Sequence, residues 1–259
     1  MKIPIFQVDA FTDHIFSGNP AAICVLKNWP EDRVMQNIAA ENNLSETAFI
    51  MECETFFGIR WFTPKMELDL AGHPTLAAAH VIFEVLRPGM TEVEFQSASG
   101  PLYVSKQESK ITMDFPSRPA HPCKAPQALI EGLGAKPVEV LLARSHLAVF
   151  ETKEEILSIE PKMERLMELD SKGVIITSQG GDVDFVSRFF HPKAGVPEDP
   201  VTGSAHCTLV PYWAAKLAKN ELLARQLSDR TGVLWCSLKK GRVFLSGQAV
   251  MFLEGQISI

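Results

Sequence analysis

Short runs of β-branched and aromatic residues alternate with helical patterns along this chain of 259 residues. Strands are predicted at residues 2–9, 21–26, 47–53, 56–63, 92–96, 101–106 and 110–115, then at 138–143, 146–150, 173–178 and 183–190, and in a final meander at 232–238, 242–246 and 249–254. Helices are predicted at 31–41, 75–86 and about 204–219, where Pro211 is expected to kink or interrupt the last one. Because each half places one apolar helix among strands, we predict an α+β fold with a sheet wrapped around a buried central helix.

One motif occurs twice, about half a chain length apart. Arg60-Trp-Phe-Thr-Pro-Lys returns as Arg188-Phe-Phe-His-Pro-Lys, and each copy continues through an acidic stretch to a glycine, Gly72 or Gly203. A repeat of this length is too long for a solenoid unit. It indicates a duplicated domain with a pseudo-twofold axis and a cleft between the two copies.

The boundary between the halves is predicted at the proline-rich stretch 116–128, which ends the first set of strands. We therefore predict a first half made of residues 1–116 together with a C-terminal strand at 248–259. Residues 117–247 form the second predicted half.

Each copy of the motif predicts a strand, a loop and the start of a helix. A helix N-terminus presents unpaired backbone N–H groups and a partial positive charge, and a glycine allows a ligand to approach the backbone closely. The turns at Gly72-His73 and Gly203-Ser204 are therefore predicted to bind a carboxylate or another anion. Either turn alone could equally be an ordinary strand-to-helix connection, and it is their duplication that favours a binding site.

Composition and charge exclude several classes of protein. A net charge of −6 without a lysine and arginine cluster argues against nucleic acids and membranes as partners. The five cysteines form no CxxC pair, and the histidines show neither HxH nor HxxxH spacing, so we expect no disulfide framework and no metal site. No GxGxxG or GxxxxGK[ST] motif occurs, and we expect no cofactor. The first residues lack a long apolar stretch, which predicts a cytoplasmic location.

Several motifs together resemble the PhzF family of phenazine-biosynthesis-like isomerases, and the similarity spans nearly the whole chain. They are Gly18-Asn-Pro-Ala-Ala, Asn43-Leu-Ser-Glu-Thr-Ala-Phe, Arg60-Trp-Phe-Thr-Pro, Ala71-Gly-His-Pro-Thr-Leu-Ala and Asp199-Pro-Val-Thr-Gly-Ser-Ala-His. The resemblance implies the diaminopimelate epimerase fold, with two pseudo-symmetric halves and an active site between them. Ala71 and Pro74 depart from the family pattern, which commonly has a cysteine and an alanine at these positions; both changes flank the predicted site.

Glu46 marks a difference between the two halves. In a comparison without gaps, counting back from Arg60 and Arg188, Val174 lies opposite Glu46, so the second copy lacks an acid there. A single carboxylate fits removal and return of a proton on one face of a substrate. The resemblance implies the same general acid/base role for Glu46. From the residues alone, Ser45-Glu46 could also be a solvated turn that enters a strand.

His73 and Ser204 follow the two repeated glycines, at positions where two-base epimerases of this fold carry cysteines. A serine is a poor base without an activator, so symmetrical racemisation is disfavoured. The resemblance implies that Asp199 orients His73 and accepts a hydrogen bond from the substrate. The alternatives are helix capping for Ser204, a core histidine for His73 and a closed turn for Asp199.

The sequence thus predicts a cofactor-independent isomerase that acts on a small carboxylate-bearing molecule. Glu46, His73 and Asp199 are its predicted catalytic residues, and the predicted substrate contacts are Ser45, Gly72, Gly203, Ser204 and, more loosely, Asn19. Two alternatives stay open: a two-base amino-acid epimerase or racemase of the same fold, and a non-catalytic protein that binds a small acid. A homodimer is also expected, because such folds often pair through a sheet edge.

Overall fold

The computed structural model describes residues 2–259, which divide into two compact units. The first unit contains the residues up to Phe115 together with Phe244–Ile259, and the second contains Pro116–Val243. No helix among the described residues has both the length and the apolar character needed to cross a membrane.

The first unit is built mainly from strands, with two helices. Its elements are β1 (Lys2–Ala10), β2 (Asn19–Leu26), α1 (Asp32–Asn42), β3 (Glu46–Glu52), β4 (Phe57–Phe62), β5 (Glu67–Leu68), α2 (His73–Val81), β6 (Glu92–Ser97), β7 (Gly100–Gln107) and β8 (Lys110–Pro116). The last strand of the chain returns to this unit and pairs with β1; it is numbered β18 (Ala249–Ser258).

The second unit contains the remaining elements. They are β9 (His121–Pro122), α3 (Gln127–Leu133), β10 (Glu139–Leu142), β11 (His146–Val149), α4 (Lys153–Ser158), α5 (Met163–Leu166), β12 (Val174–Gln179), β13 (Phe185–His191), β14 (Val196–Asp199), α6 (Gly203–Leu217), β15 (Glu221–Gln226), β16 (Gly232–Lys239) and β17 (Arg242–Gly247). In β17 the chain passes back into the first unit.

The two units pair their strands in the same way. In the first unit, β1, β2, β3, β4, β6 and β7 are neighbours in that order, and the successive pairings are antiparallel, parallel, antiparallel, parallel and antiparallel. In the second unit, β10, β11, β12, β13, β15 and β16 repeat both the order and the directions. The shared topology supports the duplication that the repeated motif predicts.

Each unit places one helix against its sheet. α2 is rich in alanine, is buried on almost every side, and packs against β1, β2 and β3, since small side chains allow strands to approach closely. In the second unit α6 packs against β15 and β16. The predicted α+β fold, with a sheet around a central helix, is confirmed.

The repeated arginines hold short hairpins in both units. Arg60 on β4 forms two hydrogen bonds with Glu67 on β5, at 2.7 Å each. Arg188 on β13 contacts Glu198 on β14 in the same bidentate manner, at 2.8 and 2.9 Å. The two arginines therefore have a structural part in the loop that precedes each central helix.

Most predicted elements are present with shifted ends. The helix predicted at 75–86 begins earlier, at His73, and changes to a π-helix at Ile82–Leu86. α6 continues through Pro211. The proline-rich stretch 116–128 was predicted as a connection only, and this was wrong in part, because it contains β9, which pairs with β10, and the start of α3. Two further helices, α4 and α5, and strand β15 were not predicted.

The predicted correspondence between Glu46 and Val174 is wrong by one residue. Arg60 pairs with Phe49, whereas Arg188 pairs with Ile176, because the hairpin between β12 and β13 is one residue longer than that between β3 and β4. The position equivalent to Glu46 is therefore Gly173 and not Val174. A Cβ at Gly173 would lie 2.6 Å from the Phe190 carbonyl oxygen, so the second unit has no room for a carboxylate there.

We expect Gly173→Ala to destabilise the protein by roughly 1–3 kcal/mol, because the added methyl group meets backbone that must move. Gly255→Ala is the matched control, since a Cβ there would meet only the flexible Leu253 side chain at 3.8 Å. Urea denaturation of both variants measures the difference. Equal unfolding free energies for the two variants would contradict the packing described at Gly173.

Candidate active site

Glu46 is the first residue of β3, directly after the turn that ends α1. The helix stops at Asn43, which adopts a left-handed conformation with φ 48°. Asn42 then donates a hydrogen bond from Nδ2 to Thr47 Oγ1 at 3.1 Å, which fixes the turn against the strand. The Glu46 side chain is 13% exposed, so it is not the solvated turn residue of the alternative interpretation.

His73 lies beside Glu46 because the central helix begins next to β3. His73 is the first residue of α2, its side chain is buried, and its Nε2 lies 3.1 Å from Glu46 Oε2. The distance is that of a hydrogen bond, although the alignment of these two atoms falls short of one. Catalytic hydrogen bonds often align only when the substrate is bound.

Asn19 contacts the other nitrogen of the His73 ring. Its Nδ2 lies 3.0 Å from His73 Nδ1, and the Asn19 side chain is fully buried. Asn19 begins β2 after Gly18, whose φ of 64° favours glycine; a Cβ there would lie 2.2 Å from the Ala10 carbonyl oxygen. The Gly-Asn-Pro turn therefore places an amide against the histidine.

Burial keeps His73 neutral. Desolvation lowers the pKa of its ring to about 3, against a smaller opposite effect from the backbone of Pro20. An amide nitrogen can only donate, so with the Asn19 amide in this orientation Nδ1 accepts and the single ring proton lies on Nε2, which faces Glu46. Asn19, His73 and Glu46 form the first cluster of polar residues, within the first unit.

A second cluster lies in the second unit, at the turn between β14 and α6. Asp199 ends β14 and is 7% exposed. Thr202 donates a hydrogen bond from Oγ1 to Asp199 Oδ2 at 2.5 Å. Gln226, at the end of β15, donates to the Asp199 carbonyl oxygen at 2.7 Å and accepts from the Thr202 N–H at 2.9 Å. Asp199, Thr202 and Gln226 form this second cluster.

α6 begins directly after this cluster. Gly203 is its first residue and Thr202 is the N-cap, without a side-chain cap bond. Ser204 is the second residue of the helix and is exposed, so helix capping does not account for it. His206 Nδ1 lies 2.8 Å from the Thr202 carbonyl oxygen, and burial lowers the pKa of His206 to about 4.

The structure thus brings the predicted residues together within each unit. Glu46, His73 and Asn19 are in contact in the first unit, where Gly72 precedes α2 and Ser45 is half-buried before β3. In the second unit, Asp199 ends the strand before one turn, and Gly203 and Ser204 begin the helix after it. Sequence reasoning missed Gln226 and Thr202, although Thr202 stands inside the Asp199-Pro-Val-Thr-Gly motif. Gln226 ends an apolar strand that had not been predicted.

The environment of Cys207 weighs against its use as a second base. Cys207, in the first turns of α6, is buried, and this burial raises the pKa of its thiol to about 12. Its sulfur lies 3.6 Å from the Gly203 carbonyl oxygen, to which it donates. A thiol with this pKa stays protonated at neutral pH and is a poor base.

Several named proteins align with this chain from end to end. Residues 8–255 match the family model PhzC-PhzF, described as phenazine biosynthesis-like protein. Two proteins of Pseudomonas aeruginosa that carry the name uncharacterized isomerase are 44% and 46% identical, and each alignment covers 100% of both chains. The crystal structure of a phenazine biosynthesis protein of the PhzF family from Enterococcus faecalis is 43% identical, with a TM-score of 0.96 over 100% of each chain.

A solved structure of much lower sequence identity has the same fold. A hydroxyproline epimerase from Agrobacterium vitis, only 11% identical, has a TM-score of 0.69 over 99% of this chain and 92% of its own, which shows the fold alone. The two bacterial relatives thus carry isomerase names, and the chain has the fold that is also found in this epimerase. The chain belongs to the PhzC-PhzF family of phenazine biosynthesis-like proteins, as its motifs predicted.

We expect acid to destabilise the protein through His73 and His206. Both folded-state pKa values, about 3 and about 4, lie below the ordinary value of 6.5, so below pH 6.5 the unfolded chain binds more protons than the folded one. Stability is therefore lost as the pH falls, by up to about 1.4 kcal/mol per pH unit for each histidine.

Urea denaturation of the wild type and of His206→Gln between pH 7.5 and 4.5 measures this loss. The variant should lose up to about 1.4 kcal/mol less per pH unit below pH 6, because one of the two buried histidines is gone. Parallel pH profiles for the two proteins would show that His206 already titrates normally in the folded state.

Proposed function

We propose that this protein is a cofactor-independent isomerase that moves a proton, and with it a double bond, on a small carboxylate-bearing metabolite through Glu46. The observation that carries the proposal is the first cluster, in which a largely buried carboxylate faces the Nε2 of a neutral histidine at 3.1 Å. The isomerase names of its relatives agree with this class of reaction.

Glu46 would act as base and then as acid. Its carboxylate removes a proton from a carbon of the substrate, and the electrons of the broken C–H bond form a new double bond within a conjugated system. The protonated Glu46 then returns the proton to a second carbon, while the original double bond is lost. No atom or electron is gained, so the reaction is an isomerisation.

His73 and Asn19 would prepare Glu46 for both steps. A neutral imidazole can donate one hydrogen bond from Nε2 to the carboxylate without placing a positive charge beside it. The Asn19 amide, which donates to Nδ1, would hold the ring in the tautomer that makes this possible. The glutamate would then keep a defined orientation while its proton comes and goes.

The beginnings of α2 and α6 would bind the substrate. Neither helix has a side-chain cap bond, so backbone N–H groups around Gly72-His73 and Gly203-Ser204 are suited to the substrate carboxylate. We further propose that Asp199 accepts a hydrogen bond from a hydroxyl or amino group of the substrate. The duplication of the motif and the family resemblance support this part of the proposal.

A single base is favoured over two. The position equivalent to Glu46 in the second unit is Gly173, where a side chain would collide with backbone, and Cys207 is a buried thiol with a raised pKa. An isomerase with one proton-carrying residue moves the proton on one face of its substrate. A racemase needs a second base on the opposite face.

We expect Glu46→Gln to abolish proton transfer, because an amide cannot accept and return the proton. The assay is deuterium incorporation from D₂O, followed by NMR and mass spectrometry, on a panel of small carboxylic acids with an acidic C–H beside a double bond, a hydroxyl or an amino group. trans-4-Hydroxy-L-proline and L-proline serve as reference compounds for two-base epimerisation. Rates should fall at least 1,000-fold, on the order expected for loss of an essential base together with its reprotonation step.

Glu52→Gln is the matched control, since Glu52 lies on the same strand and its carboxylate pairs with Arg87 at the surface. It should retain the wild-type rate. If Glu46→Gln keeps the exchange, Glu46 has no part in the reaction. Epimerised proline would instead support the two-base alternative, and tight binding of an acid without any exchange would support a non-catalytic binder.

We expect Asn19→Leu to slow turnover roughly 10–100-fold while the protein remains folded, because the His73 ring loses the donor that fixes its tautomer. Asn19→Asp should also be slow, since a carboxylate accepts at this position and favours a proton on Nδ1. The exchange rate on the compound that the wild type turns over measures the effect. Unchanged rates in both variants would show that Asn19 has no role in the reaction.

A further inference from the structure

We propose that Gln226 and Thr202 are positioning residues that fix the orientation of the Asp199 carboxylate. This inference rests on the proposed function, in which Asp199 contacts the substrate, but the geometry can be tested without any substrate. It concerns the second cluster alone, and all three residues lie in the second unit.

Gln226 is a fully buried amide whose hydrogen bonds all go to one turn. Its Nε2 donates to the Asp199 carbonyl oxygen at 2.7 Å and to Thr202 Oγ1 at 3.2 Å, while its Oε1 accepts from the Thr202 N–H at 2.9 Å. Burial of an amide is unfavourable unless its polar atoms are bonded. The side chain therefore ties both ends of the turn from Asp199 to Thr202 to β15.

Thr202 transmits this constraint to the carboxylate. Its hydroxyl accepts from Gln226 and donates to Asp199 Oδ2 at 2.5 Å, so the proton of the hydroxyl can point in only one direction. Its carbonyl oxygen is close to His206 Nδ1, at 2.8 Å. Ser228 donates to the Pro200 carbonyl oxygen at 2.8 Å and holds the middle of the turn. These anchors of the turn come from β15, the residues that follow it, and α6.

The first unit shows what this turn looks like without the network. By strand register, Leu68 corresponds to Asp199 and Ser97 corresponds to Gln226. Ala71, directly before the repeated glycine, corresponds to Thr202. The Ser97 hydroxyl is too short to cross to this turn and donates to the Gly100 carbonyl oxygen instead.

The equivalent of Ser228 is retained in that unit. Ser99, two residues after Ser97, donates to the Asp69 carbonyl oxygen at 2.7 Å, much as Ser228 donates to that of Pro200. The serine anchor is thus common to both units and supports the turn itself. Gln226, Thr202 and Asp199 occur together in the second unit and are replaced together in the first, which points to a joint role in holding the carboxylate.

The test compares Thr202→Val, Thr202→Ser and Gln226→Leu with Thr177→Val. The valine at 202 removes the hydroxyl that donates to Asp199, whereas the serine keeps it. Thr177 is an equally buried threonine of the same unit, which donates to the Val186 carbonyl oxygen and accepts from Trp213, and it contacts none of the three residues of the second cluster through these bonds. Thr177→Val therefore controls for the general cost of a lost buried hydrogen bond.

The first readout is a crystal structure of each variant without ligand. In Thr202→Val and Gln226→Leu we expect the Asp199 carboxylate to leave its present rotamer while β14 and α6 keep their positions; in Thr202→Ser and Thr177→Val it should stay. An unmoved carboxylate in both Thr202→Val and Gln226→Leu would overturn the proposal, whatever their melting temperatures. Should Gln226→Leu fail to fold, the valine and serine pair at Thr202 decides alone.

The second readout is the deuterium-exchange rate on whichever panel acid the wild type turns over. Thr202→Val and Gln226→Leu should lower kcat/KM at least 10-fold relative to Thr177→Val of matched melting temperature, and Thr202→Ser should stay within about threefold of the wild type. A loss of kcat/KM no larger than that of Thr177→Val would show that Thr202 and Gln226 have only a structural role. A moved carboxylate with unchanged kcat/KM would confirm the positioning and instead remove Asp199 from the proposed mechanism.

Discussion

The proposed chemistry depends on one contact in the first unit, between the neutral ring of His73 and the carboxylate of Glu46, 3.1 Å apart. A charged imidazole beside a carboxylate would form an ion pair, which holds the acid ionised and opposes its uptake of a proton from the substrate. Burial prevents this, because the desolvated ring stays neutral far below physiological pH. The fold supplies that burial: α2 is apolar, packs against β1, β2 and β3 among other strands, and begins at the histidine itself.

Duplication explains how such a site can be assembled from ordinary parts. Both units pair their strands alike, and each delivers a helix N-terminus after a hairpin held by an arginine. The two units differ, however, in which equivalent position has an acidic residue. Glu46 of the first unit corresponds to Gly173 of the second, whereas Asp199 of the second corresponds to Leu68 of the first. At these two pairs of equivalent positions, each unit has one carboxylate, on a different element.

The sequence predicted the parts of the site that lie in short motifs. Glu46, His73 and Asn19 each stand in a recognisable segment, and the repeat located the turn that carries Asp199. It could not predict the contact of Asn19 with His73 or of Gln226 with Asp199, because hydrogen bonds between residues distant in the chain leave no periodic pattern. The one-residue error at Val174 has a similar cause, since the length of a hairpin loop is visible only in the register of its strands.

The tautomer of His73 is the most direct test of the account. ¹⁵N NMR of the imidazole nitrogens, assigned with a His73→Gln variant and recorded from pH 8 to pH 5, distinguishes the neutral forms from the charged one. We predict a neutral ring protonated on Nε2 throughout this range, because burial disfavours the charged ring and the Asn19 amide, in the orientation described, donates to Nδ1. A ring protonated on Nδ1, or an imidazolium that titrates near pH 6.5, would contradict it.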